Sequence, residues 1–220
     1  EDIEVESTSS SSVKKMDGTY YNLDFDYGII WDRRNQPFQP TSGYITKFEQ
    51  SLPVVIDKSS IFNGFTASGY HSFGEDVIGS VKFMARSIHG LEDEDVRLTS
   101  RLFIPQSRLR GFNSMKVGPK DGEDYIGGNY ISTLNFEAQL PKLLPESSRT
   151  DISLFTDFGN IWGVDYSSSV DSTDKIRASA GIAANIWTPV GPLSFIVAED
   201  FSKAINDETQ TFNFRIGTSF

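Results

Sequence analysis

The sequence predicts an all-β protein, an antiparallel transmembrane β-barrel of which about nine strands are present. Hydrophobic residues recur at every second position in segment after segment, several segments run to about ten residues or more, and short connections alternate with long ones. Period-2 alternation marks a strand with one apolar and one polar face. A length near ten exceeds the usual globular strand and suits a tilted crossing of a bilayer. Short turns at one end and long loops at the other are typical of outer-membrane barrels.

The elements follow in order. Residues 1–18 are acidic and serine-rich without a sustained period, and read as an extracellular loop remnant or linker. The barrel segment is 19–220. Tyr21, Leu23, Phe25, Tyr27, Ile29 and Trp31 share the apolar face of the first strand, opposite Asp24 and Asp26. Pro37, Pro40 and Gly43 mark the turn that follows. Further strands are expected over about 43–55, 59–71, 76–88, 129–140, 150–162, 176–188, 192–201 and 210–220. In 129–140, Leu134, Phe136 and Ala138 lie on one face and Thr133, Asn135 and Glu137 on the other; in 150–162, Asp151, Ser153 and Asp157 oppose Ile152, Leu154 and Phe158. The 59–71 segment is ambiguous, because Phe62 and Phe65 fall on opposite faces. The last strand sets Phe212, Phe214, Ile216 and Phe220 against Asn213 and Arg215. Short connections near 72–76 and 188–191 contrast with long ones at 89–128 and 163–175.

Composition agrees with a barrel and excludes several functions. Mean hydropathy is −0.31, and no apolar run approaches the ~18 residues of a transmembrane helix. A barrel hides its apolar residues at alternate positions and so reads polar on average, while an aromatic content of 13% supplies interfacial girdles. A net charge of −10 argues against a nucleic-acid partner. Cysteine is absent, which removes disulfides and thiolate metal sites. His71 and His89 are the only histidines and sit near opposite ends of adjacent strands, so neither a metal site nor a serine hydrolase triad is expected. No catalytic residue, metal or cofactor is assigned. The acidic start lacks the basic region of a signal peptide, so the true N-terminus is expected upstream. Nine membrane strands would leave two unpaired edges in lipid, so further strands are expected from elsewhere.

Several motifs carry a family likeness. Arg108-Leu109-Arg110-Gly111-Phe112 in the long loop, with Gly127-Gly128-Asn129 after it, resembles the (V/I)RG(F/Y) motif and trailing GGN of loop six in the Omp85 family. Asp157-Phe158-Gly159-Asn160-Ile161-Trp162 is similar to the family's D-x-G-x-(V/I)-W strand end. Arg177-Ala178-Ser179-Ala180-Gly181 and Pro189-Val190-Gly191-Pro192-Leu193 resemble its R-x-S-x-G and P-x-G-P-L signatures, and Trp31-Asp32-Arg33-Arg34 with Pro40-Thr41-Ser42-Gly43 its first turn motif.

The resemblance implies a barrel of sixteen strands, of which this chain supplies the last nine, with loop six at 89–128. It implies an integral protein of the bacterial outer membrane that folds and inserts β-barrel clients and is not an enzyme. Its partners would be outer-membrane lipids, nascent outer-membrane β-barrel proteins, and assembly-machine lipoproteins reached through periplasmic POTRA domains outside these residues. In the family, loop six folds into the lumen and its arginine meets acidic residues of the wall. Here these are Arg110 and the partners Glu137 and Asp157, which the alternation independently places on the polar face. Gly111 would permit a tight loop tip and Phe112 would pack on the wall. The terminal strand, with Phe212, Phe214, Ile216 and Phe220, would form half of a lateral gate, which Gly217 weakens locally. Translocation-assembly or two-partner-secretion members of the family share the loop motif. A passive porin is the rival of another class, and would leave the loop charges arranged for solute selectivity instead of locked together.

Overall fold

The computed structural model describes residues 2–14, 17–56, 60–91, 95–165, 173–188 and 191–216. Nine strands form one antiparallel sheet: β1 Asn22–Asp32, β2 Gly43–Ile56, β3 Ser60–Ser72, β4 Ile78–Gly90, β5 Tyr130–Leu140, β6 Thr150–Trp162, β7 Arg177–Thr188, β8 Gly191–Ser202 and β9 Phe212–Ile216. Each strand pairs with its neighbours in sequence, an up-and-down meander with β1 and β9 at its edges. Among the described residues the sheet is not closed.

Burial follows the period-2 pattern that the sequence prescribes. Along β6, Ser153, Phe155, Asp157, Gly159 and Ile161 are buried while Leu154 between them is exposed. The opposite face carries exposed apolar side chains from strand after strand, among them Val81, Phe136, Leu154, Ile182, Val197 and Phe214. Such a continuous apolar surface on both sides of every turn is what a bilayer covers. No described helix is long and apolar enough to cross a membrane. Connections 73–77 and 141–149 lie at one end of the sheet, and loop six, 91–129, at the other. The connection between Ile56 and Ser60, at the loop-six end, is short, so the contrast between the two ends is not uniform.

Loop six covers the inner face of the middle strands. Leu102, Ile104, Leu109, Phe112 and Val117 of the loop form one buried apolar cluster with Met84, Ile88, Ile131 and Ile161 of the wall, and Phe62 packs against it. This settles the ambiguous third strand: Phe65 faces outward beside Phe83, and Phe62 faces inward under the loop. Inward apolar residues are tolerated there because the loop, not water, is their neighbour. The N-terminal segment forms small local elements, with Asp2–Ile3 paired to Gly18–Thr19 and a single helical turn at Ser11–Lys14. Pieces of two and four residues leave no period to read in a sequence.

Candidate functional site

Strand register builds the site. Lys82, Asn135, Asp157, Ser179 and Asp200 face one another in sequence across β4 to β8, and the adjacent inward row is Ser80, Glu137, Phe155, Gly181 and Ala198. Loop six lowers Arg110 onto these two rows. Its Nε donates to Asp157 Oδ2 and its Nη2 to Asp157 Oδ1, both at 2.8 Å, and its backbone N–H donates to Oδ2 at 3.0 Å. Nη1 lies 3.4 Å from Glu137 Oε2, and the guanidinium carbon sits 3.5 Å from the centre of the Phe155 ring. The fork geometry of arginine suits such a bidentate contact, which a lysine cannot reproduce.

Burial makes these contacts strong. The Asp157 side chain is fully buried, and those of Arg110 and Glu137 are nearly so. Lys82 lies 3.7 Å from Glu137, and Arg108 Nη1 donates to Asn135 Oδ1 at 3.4 Å, so further cations adjoin the two carboxylates. Asn135 donates to Asp157 Oδ1 at 2.9 Å and also to the Arg108 carbonyl at 2.8 Å, fixing the loop and the carboxylate together. The Ser179 hydroxyl donates to the Arg110 carbonyl. Gly111 adopts φ +88°, and a Cβ there would lie 3.1 Å from the Ala198 Cβ and 3.3 Å from the Ser179 Cβ. Only glycine combines that left-handed backbone with so close an approach to the wall. Phe112 is buried in the loop cluster and bridges to Thr209.

Phe212, Phe214 and Ile216 point outward from β9, and the Phe214 ring packs on Phe195 at 4.9 Å. Gly217 and Phe220 lie outside the described residues. Phe155, Asn135 and Asp207 are not among the site residues that the sequence singles out. Phe155 had a legible signal, an aromatic set among Ser153 and Asp157 on the polar face. Asn135 stood on the correct face with nothing to single it out. Asp207 lies in the β8–β9 turn, where no alternation exists. Arg177 and Ser179 were noticed only as parts of a motif.

The arrangement defines a class, an outer-membrane β-barrel wall whose lumen is plugged by its own loop. The Omp85 superfamily domain matches residues 2–220, and the chain belongs to that superfamily. It is an integral protein of the bacterial outer membrane. The chain is similar to the outer membrane protein assembly factor BamA of Neorickettsia risticii (strain Illinois), with 28% identity over 99% of this chain and 30% of that protein. It is 31% identical to BamA of Neisseria meningitidis serogroup B over 51% of this chain and 17% of that protein. It also resembles the human sorting and assembly machinery component 50 homolog, at 26% identity over 55% of this chain and 26% of that protein. The fold matches a crystal structure of BamA from Haemophilus ducreyi lacking POTRA domains 1–3, with a TM-score of 0.76, 24% identity, and coverage of 87% of this chain and 41% of that one. The chain thus spans less than half the length of these relatives.

Proposed function

We propose that this chain is the C-terminal part of the barrel of an outer-membrane protein insertase, which folds and inserts β-barrel clients through a lateral gate involving β9. The observation that carries the reading is the locked loop: Arg110 is held by Asp157 at two 2.8 Å contacts in a buried cluster. A solute channel needs loop charges facing water. Here the charge is spent on the wall, which suits a part that holds barrel shape while the sheet edge does the work. That relatives in the family carry the name of assembly factors supports the same reading.

The role of β9 follows from the chemistry of a sheet edge. It lies at one edge of the sheet and, over its described residues, pairs with β8 from Leu193–Ile216 to Val197–Phe212. A sheet-edge strand whose row of backbone N–H and C=O groups becomes free templates an incoming strand by hydrogen bonding. The clients would be unfolded outer-membrane β-barrel proteins. Accessory lipoproteins would act through POTRA domains outside these residues, and no covalent chemistry is involved.

The test uses the full-length protein in liposomes and an urea-unfolded eight-stranded barrel as client, with folding followed by heat-modifiable gel migration. Faster folding than in empty liposomes, abolished by a disulfide that fastens the terminal strand to the first strand of the barrel, is expected. Liposomes that gain ion conductance with no acceleration of client folding would overturn the insertase reading in favour of a channel.

A further inference from the structure

A second buried ion pair lies away from Arg110, at the loop-six end of the wall. Arg177 Nε donates to Asp207 Oδ2 at 2.9 Å and Nη2 to Oδ1 at 3.2 Å, with side-chain exposures of 0% and 1%. Arg177 Nη1 is satisfied by Asn160 Oδ1 at 2.7 Å and the Lys175 carbonyl at 2.9 Å. Asp207 also accepts from the N–H of Ala204 in its own turn and from the N–H of Gly118 in loop six, at 2.7 and 3.2 Å. One carboxylate therefore joins β7, the β8–β9 turn and loop six.

The backbone continues the connection. Asn113 N–H donates to the Glu208 carbonyl, Glu208 N–H to Lys116, and Gln210 N–H to Gly111, at 3.0, 3.0 and 2.9 Å. Phe112 and Thr209 form a β-bridge within this seam. Below it, Arg215 of β9 reaches the Gln106 carbonyl of loop six at 3.4 Å. This seam adds contacts with loop six to the β8–β9 ladder that holds the terminal hairpin.

We propose that Arg177 and Asp207 form a second latch that fastens the β8–β9 turn to loop six, so that the outer end of the terminal hairpin moves with the loop. Breaking a fully buried pair on one side strands the other charge, so neither half can be lost quietly. Loop six and the gate strand are then one mechanical unit, and displacement of either loosens the other. The consequence at the gate rests on the insertase reading; the latch itself does not.

Hydrogen exchange by mass spectrometry on the full-length protein in phosphatidylcholine nanodiscs tests it. Asp207→Ala is expected to speed exchange in both 111–118 and 203–211 by on the order of a hundredfold, with β3 unchanged. Arg110→Ala is expected to speed exchange at 203–211 as well, and the double variant to show less than the product of the two effects. Where an alanine variant fails to fold, as judged by heat-modifiable migration, Asp207→Asn and Arg110→Met take its place under the same criteria. Unchanged exchange in either segment of the Asp207 variant, or effects that multiply independently, would overturn the latch. Loosened segments with an undiminished client-folding rate would leave the latch standing and count against the gate.

Discussion

The wall under loop six and the wall formed by β1 to β3 obey the same alternation yet differ in what that alternation accomplishes. Beneath the loop, Asp157 meets Arg110 with both side chains buried, and Ile131, Ile161 and Met84 face inward within an apolar cluster. On β1 every residue from Leu23 to Asp32 is exposed, Asp24 and Asp26 included. Its neighbour β2 offers Glu49 to Lys47 at 2.5 Å and to Arg86 at 3.6 Å, all partly exposed. A charge pair in a dry cluster and one in a wet lumen share a distance and little else, because the effective dielectric differs severalfold. What covers a strand face decides whether its polar residues hold the structure or merely tolerate water.

Substitutions on the two walls should separate accordingly. Asp157→Ala strands a buried guanidinium and should destabilise the full-length protein by about 3–5 kcal/mol in urea unfolding from liposomes. Phe112→Ala, which empties the loop cluster, should also cost about 3–5 kcal/mol, with a loss of protease resistance confined to loop six. Gly111→Ala forces an L-residue into φ +88° and should cost about 1–3 kcal/mol. On the open wall, Glu49→Ala should change stability by only about 0.2–1 kcal/mol, and less still at high salt. A large effect of Glu49→Ala, or a small one of Asp157→Ala, would erase the distinction between the walls.

The same distinction explains what the sequence could reveal. Strands β5 to β8 were legible within a residue or two because lipid on one side enforces alternation, whatever lies on the other. The inward orientation of Glu137 and Asp157 follows from that alternation alone. The bounds of the third strand are as legible, 59–71 against Ser60–Ser72, but its facing is not, because the inward Phe62 serves loop six and breaks the polar pattern. Loop six itself has no period, so its position over the wall came from the motif around Arg110 and not from any propensity. Asp207 was invisible for a related reason: a turn carboxylate acquires its role only from Arg177, thirty residues away, and from Gly118 across the loop.

The measurement that bears most directly on the account is a double-mutant cycle on Arg110→Met and Asp157→Leu in the full-length protein, read by urea unfolding from liposomes. Each single variant removes one partner of the bidentate contact and leaves the other without it, and the double variant removes both and leaves Glu137 with Lys82. The locked loop predicts a coupling energy of about 2 kcal/mol or more, with the double variant more stable than either single one. Additivity within about 0.5 kcal/mol would mean that the two groups do not sense one another, and that the loop is not held by this pair.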